Sequence, residues 1–288
     1  MGPGLRPLMK EFDLPAGYSA IQAGDTSIAV MSRYADVFSG FKLSDPPEPH
    51  PLGQRGRGFL ISMALAADDS EPALIRRYLR GGILGRLLKD SFARIGRARP
   101  FRELMISEYA RAAGVPTPEI VAAVVQRTGP FTYRGALATR QITPGVDLRE
   151  EALAYAPDDR QAIGEKRRCI SSLGRLIARM HAAGIYHADL HLKNILKSGE
   201  QLYLLDLDGA AIHVPLPEYR KRMNLLRLYR SVQKINQRRR VITRTDLLRF
   251  VHAYAAASQT AEEDLLQDIK KMLPLWRLKW RLSDLLKV

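Results

Sequence analysis

Three polar residues in the second half of the chain carry the spacing of a reactive centre. His187-Ala188-Asp189-Leu190-His191-Leu192-Lys193-Asn194 places an Asp and an Asn five residues apart, and Leu202-Tyr203-Leu204-Leu205-Asp206 then brings an apolar strand to a second Asp. Transfer of a phosphoryl group from ATP needs such a set. One carboxylate orients and deprotonates the attacking hydroxyl, while an amide and a second carboxylate offer hard oxygen ligands to Mg²⁺. The pattern H-x-D-L-x-x-x-N is the catalytic loop of kinases. Asp189 is therefore the candidate base, and Asn194 and Asp206 are the candidate metal ligands. Asp206-Leu207-Asp208-Gly209 stands where protein kinases carry Asp-Phe-Gly; a strand continuing through it would turn Asp206 and Asp208 to one side, making Asp208 a possible second contact. His187 is read as a brace for the loop. His191 replaces a lysine common in protein kinases, which favours a small-molecule or carbohydrate acceptor.

The elements around this loop must hold it and supply the nucleotide. Leu173, Leu176, Ile177 and Met180 form one apolar stripe, predicting a helix over Arg168 to Ala182 that Gly184 ends. Short strands follow at Ile195-Leu196 and Leu202 to Asp206. Helices are expected over Glu218 to Gln237, Asp246 to Ala257 and Ala261 to Leu286. Earlier in the chain, Phe59 to Met63, Ala73 to Tyr78, Ile120 to Gln126 and Arg134 to Ile142 read as strands, with a helix over Phe101 to Ala113 between the two pairs. Thr26 to Phe38 fits a short helix or a strand equally well. Gly53-Gln54-Arg55-Gly56-Arg57-Gly58 precedes the first of those strands, and its glycines would let backbone N–H groups approach phosphate oxygens, with Gly56 and Gly58 as the contact points. A cation on the second strand, oriented by a helix carboxylate, should meet the nucleotide phosphates. Arg76 and Glu103 occupy those places, with Arg77 as the other arginine that could face inward.

The expected architecture is α+β: a bilobal protein-kinase-like fold. It has a loose lead-in over 1–20, an antiparallel-sheet N-lobe for the nucleotide over 21–143, and a mainly helical C-lobe over 144–288, with Thr143-Pro144-Gly145 as hinge.

Composition narrows the setting. The longest apolar run is six residues, Ile120 to Val125, too short for a transmembrane helix, and the N-terminus shows no apolar signal core. One cysteine, Cys169, leaves no internal disulfide framework and no cysteine-based zinc site, which points to a reducing cytoplasmic setting. Forty-five Lys and Arg against 30 Asp and Glu give a net charge of +15, an excess that attracts polyanions. No aromatic-rich basic strand suggests stacking on nucleic acid, and none is expected as partner.

Several blocks together resemble the lipopolysaccharide kinases of Gram-negative bacteria, and within them the branch acting on 3-deoxy-D-manno-octulosonic acid (Kdo). They are Ile75-Arg76-Arg77-Tyr78-Leu79-Arg80-Gly81-Gly82, Lys89-Asp90-Ser91, Phe101-Arg102-Glu103, Gly114-Val115-Pro116-Thr117-Pro118, the catalytic loop, and Leu204-Leu205-Asp206-Leu207-Asp208. The arginine at position 76, where protein kinases carry Lys, is a further mark of the Kdo branch. The resemblance implies ATP-dependent phosphorylation of a sugar hydroxyl on Kdo–lipid A, at the inner face of the cell inner membrane. An inner-core heptose, or the acceptor of another small-molecule or protein kinase of the same fold, is the alternative. A lipid-linked acceptor in an anionic leaflet would suit the basic surface, at about 1 kcal/mol per well-placed Lys or Arg. Arg86 to Arg102, Arg238-Arg239-Arg240 and the Trp- and Leu-bearing segment Leu275 to Leu282 are the candidate membrane contacts.

Overall fold

Six consecutive apolar residues, Ile120 to Val125, can be buried only in a strand covered on both faces, and the structure places them so. The computed structural model describes residues 14–41, 43, 60–65, 72–79, 90–156, 159–267, 269–271 and 274. These fall into two units, Met1–Tyr109 with Pro118–Ile142, and Ala110–Thr117 with Thr143–Val288.

The described part of the first unit is built on an antiparallel sheet. Its strands are β1 (Tyr18–Ala23), β2 (Thr26–Met31), β3 (Leu60–Met63), β4 (Ala73–Arg77), β5 (Phe92–Ala93), β6 (Ile120–Arg127) and β7 (Thr132–Arg140). They run in the order β1-β2-β6-β7-β4-β3, with β5 added on β7. Alternation sorts the side chains into two cores. Ile28, Val30, Ile75, Val124, Ala136 and Ala138 face one side, where Tyr34 and Phe38 of the short helix α1 (Ala35–Phe38) and the turn before it cover them. Ala29, Ala123, Val125 and Leu137 face the other, under Phe101 and Leu104 of helix α2 (Arg99–Ala112). The segment Thr26 to Phe38 is thus both things the sequence allowed: strand to Met31, then helical. β1 opens at Tyr18, inside the stretch expected as lead-in, and Leu14 and Tyr18 already pack on the second core. The turn at Gly24 (φ 56°) explains the hairpin, since glycine meets no Cβ penalty there.

The second unit begins with the last residues of α2, which Gly114 ends in the left-handed region (φ 73°), with Val115 N–H closing onto Ala110 O. After β8 (Val146–Asp147), Asp147 caps helix α3 (Leu148–Ala154) by accepting from the N–H groups of Arg149 and Glu150. Helix α4 (Arg160–Ala182), capped by Asp159, starts eight residues before the expected start at Arg168. Its early turns carry charge rather than apolar side chains, so periodicity alone missed them. Gly184 (φ 76°) ends the α4 segment, and a Cβ there would collide with the His213 carbonyl oxygen. Then come β9 (Ile185–Tyr186), the hairpin β10 (Ile195–Ser198) with β11 (Gln201–Leu204), and β12 (Ala211–Ile212), which pairs with β9. Helices α5 (Glu218–Asn236) and α6 (Arg244–Ser258) follow, the latter opened by a capping box of Thr243 and Asp246. Residues 262–267 and 269–271 are also helical. Cys169 is half-buried on α4, and burial pushes its thiol up to about 11, the state of an unreactive side chain.

Candidate active site

The loop after α4 is fixed by hydrogen bonds that the sequence only hinted at. His187 is buried; its Nε2 donates to the Leu205 carbonyl at 3.0 Å and its Nδ1 accepts from Asp189 N–H at 3.2 Å. Those two partners assign the proton to Nε2, and burial holds the ring below the usual histidine range and neutral. At the far end of the loop Asn194 Nδ2 donates to the Asp189 carbonyl at 3.0 Å, and Asn194 O accepts from Leu205 N–H at 2.9 Å. Leu205 is therefore gripped at both its backbone groups by the loop, so its neighbour Asp206 is carried to Asn194. A carbonyl accepts only, so the amide orientation of Asn194 is settled and its Oδ1 is the oxygen left for a ligand.

Here one expectation is corrected. β11 stops at Leu204, not at Asp206, and Asp206 takes a left-handed backbone (φ 58°). The chain has left the pleat, so alternation does not put Asp206 and Asp208 on one side; Asp208 lies in the turn with Gly209 (φ 81°). A short polar side chain tolerates this conformation better than most, which is why an Asp can hold the corner.

Asp189 presents its carboxylate outward, with the side chain 73% exposed and Oδ2 3.5 Å from His191 Nε2. The hydrogen bond from His191 is the largest cause holding its carboxyl below the usual range, against the opposing effect of burial, and His187 and Arg227 add to it. The carboxylate is thus ionised at neutral pH. His191 Nδ1 is buried without a partner, so the ring proton belongs on Nε2, facing Asp189.

Beneath the loop lies a chain of buried polar groups absent from the sequence reading. Asn224, fully buried on α5, donates to His187 O and accepts from His187 N–H at 3.3 Å. Its Oδ1 also meets His181 Nε2 at 3.3 Å, and His181 Nδ1 meets Tyr254 Oη at 2.8 Å. Tyr254 must donate to Nδ1, since Nε2 donates to Asn224. The signal for Asn224 was present as a polar residue interrupting an apolar stripe with Leu225, Leu226 and Leu228, but only its partners give it meaning.

In the first unit, Arg76 on β4 reaches Glu103 on α2 through Nη2, 2.9 Å from Oε1 and 3.0 Å from Oε2. Glu103 is only 3% exposed and takes a further hydrogen bond from Tyr78 Oη. Arg77 turns the other way and donates to the Leu43 carbonyl. Arg99 lies over the rings of Phe92 and Tyr78 at 4.8 and 5.4 Å, so this member of the basic stretch is committed to aromatic faces. Gly56 and Gly58, the expected phosphate-contacting glycines, lie outside the described residues, as do Arg86, Lys89 and the segment Leu275 to Leu282. Among the described residues, no three or more His, Cys, Asp or Glu gather as a metal site, and no helix is long and apolar enough to cross a membrane.

An antiparallel-sheet unit bearing an Arg–Glu pair, and a helical unit bearing a His-x-Asp loop followed by Asp206, define a protein-kinase-like fold. A solved structure described as WaaP in complex with acyl carrier protein shares that fold, with a TM-score of 0.58 at 19% identity, covering 88% of this chain and 97% of that one. Residues 54–254 match the lipopolysaccharide kinase (Kdo/WaaP) family, and the chain belongs to it. A relative from Stenotrophomonas maltophilia named 3-deoxy-D-manno-octulosonic acid kinase is 34% identical over 77% of this chain and 85% of its own length. One of the same name from Xanthomonas axonopodis pv. citri is 32% identical over the same shares.

Proposed function

We propose that the protein transfers the γ-phosphoryl group of ATP to a sugar hydroxyl of the lipopolysaccharide inner core, with Kdo on Kdo–lipid A as acceptor. The observation that carries this reading is the outward, ionised carboxylate of Asp189 held beside Asn194 and Asp206 by the double grip on Leu205. The names of the relatives supply the sugar.

In this reading Asp189 orients the acceptor hydroxyl and takes its proton as the oxygen meets phosphorus, a role for which a low carboxyl pKa still suffices because proton loss is late in a loose phosphoryl transfer. Asn194 and Asp206 would hold Mg²⁺. The fit rests on their donor set: one amide oxygen freed by the orientation of Asn194 and one carboxylate, both hard, suited to an ion that keeps waters and phosphate oxygens in its remaining positions. When bound, the ion neutralises phosphate charge. Arg76, locked by Glu103, meets the α- and β-phosphates, and Gly56 and Gly58, which lie outside the described residues, are the phosphate-contacting glycines that the sequence offers. The first unit serves the nucleotide and the second the acceptor. A net charge of +15 supports docking at the anionic inner leaflet, where a lipid-linked acceptor is found.

The test is incubation with ATP, Mg²⁺ and Kdo–lipid A, followed by mass spectrometry of the lipid. Gain of one phosphate is expected; no phosphate on any core glycolipid would sink the reading. Asp189→Ala should lower transfer by about 10³-fold or more while nucleotide binding survives.

A further inference from the structure

Two arginines of α5 lie over one tyrosine beside the catalytic loop, and among the described residues neither has an acidic partner. Arg220 and Arg227 are seven residues apart, two helical turns, and so share a face of α5. Their guanidinium carbons stand 5.1 and 5.3 Å from the centroid of the Tyr186 ring. Tyr186 is itself fixed at the end of β9 by pairing with Ala211, one residue before His187.

The hydrogen bonds that hold these guanidinium groups go to neutral atoms. Arg227 Nη1 donates to Tyr186 Oη, Arg220 Nε donates to Tyr219 Oη at 2.9 Å, and Arg220 Nη1 donates to His213 Nε2. Among the described residues neither arginine enters an ion pair. Of five N–H donors each, Arg227 uses one in these bonds and Arg220 two, which leaves four and three. Two half-buried cations fixed in place but not neutralised are an incomplete arrangement, and an anion completes it. Arg227 also lies close enough to Asp189 for its charge to act on that carboxylate.

We propose that Arg220 and Arg227, arrayed on Tyr186, form the subsite for an oxyanion of the acceptor, and that this oxyanion is the carboxylate of the sugar acid. The assignment rests on the Kdo-kinase reading above. The lipid A phosphates are the other source of such a group. The carboxylate is favoured because it sits on the same sugar as the reacting hydroxyl, matching a cation, Arg227, whose charge reaches Asp189. Guanidinium and carboxylate would meet in charge-assisted, in-plane hydrogen bonds, and the same contact would orient the sugar ring over Asp189.

The experiment measures kcat and KM for three acceptors: Kdo–lipid A, the same lipid with the Kdo carboxylate converted to an amide, and the same lipid with the lipid A phosphates removed. Amidation should lower wild-type kcat/KM by ~10–100-fold, the range for losing charge-assisted hydrogen bonds, largely through KM. The double variant Arg220→Gln/Arg227→Gln should lose a similar factor on Kdo–lipid A and nothing further on the amide, with the KM for ATP unchanged. Arg227→Lys should keep part of the preference. Equal losses of the double variant on both acceptors, sensitivity to phosphate removal in place of amidation, or a raised KM for ATP would each overturn the assignment. The amidation arm needs no variant, so a misfolded double mutant does not obscure the answer. Wild-type transfer that ignores amidation removes this subsite and leaves the Kdo-kinase reading standing; no transfer to Kdo–lipid A removes Kdo as the acceptor, and the subsite with it.

Discussion

Asn224 holds both backbone polar groups of His187 with its one amide, donating to the carbonyl and accepting from the N–H. The loop from His187 to Asn194 is thereby anchored to the interior of α5 rather than to the surface. Asn224→Ala would leave these groups and His181 Nε2 buried and unpaired, a loss of about 3 kcal/mol or more. Urea unfolding should show that loss, and kcat should fall at least ~10-fold even where the variant remains folded. Unchanged kcat in the folded variant would mean the anchor serves stability alone.

Stability should fall in mild acid because of His181. Burial, aided by the positive charge of Lys221 and only partly offset by the hydrogen bond with Asn224, holds its pKa at about 3 against an ordinary 6.5. The unfolded chain therefore binds a proton between these values that the folded chain refuses, so the contribution is complete above pH 6.5 and is lost as pH drops below it. Between pH 7.5 and pH 5 the loss is about 2 kcal/mol, from 1.36 kcal/mol per unit. His187, lowered by the same cause, acts in the same sense. Denaturant titrations at the two pH values check this, and His181→Gln should flatten part of the slope.

Removing Arg76 should be felt twice. Arg76→Ala takes a cation away from the Glu103 carboxylate, which is only 3% exposed and also accepts from Tyr78, and should lower the melting temperature by several degrees. It should also raise the KM for ATP about 10-fold or more. Arg76→Lys keeps the charge but loses the two-oxygen contact of Nη2, so an intermediate KM is expected. An ATP KM untouched by both substitutions would detach Arg76 from the nucleotide.

Gly174 inverts a familiar rule. Glycine inside an exposed helix is about 1 kcal/mol worse than alanine. Here a Cβ would stand 2.7 Å from Phe250 O and 2.9 Å from Tyr254 N, so α4 and α6 touch backbone to backbone. Gly174→Ala should destabilise by about 2 kcal/mol or more, measured by thermal melting, because neither obstacle is a movable side-chain end.

Much of the site could be read from spacing because its members are close in the chain. His187, Asp189 and Asn194 share one loop, and their bonds to one another and to Leu205 are local. Arg76 and Glu103 are further apart, yet each occupies a position that strand and helix periodicity defines. The choice between Arg76 and Arg77 needed the structure, since alternation permits either until Leu43 is seen accepting from Arg77. The corner at Asp206 was missed because apolar alternation in Leu202 to Leu205 gives no sign of where the pleat ends. Asn224, His181 and Tyr254 were missed for a different reason: they lie on three helices, and a buried polar residue declares its purpose only through partners 43 and 73 positions from His181. Thr26 to Phe38 stayed ambiguous because the segment contains a strand and a helix in succession.

The guanidinium at position 76 has a practical corollary for chemical proteomics. Acyl-phosphate nucleotide probes report occupied kinase sites by acylating the amine of a strand lysine. An arginine stays protonated across the usable pH range and offers no such nucleophile, and Arg76 is further engaged by Glu103. Surveys that score kinases by labelling at this strand would record silence from a fully charged site, whereas reversible nucleotide competition would still register it.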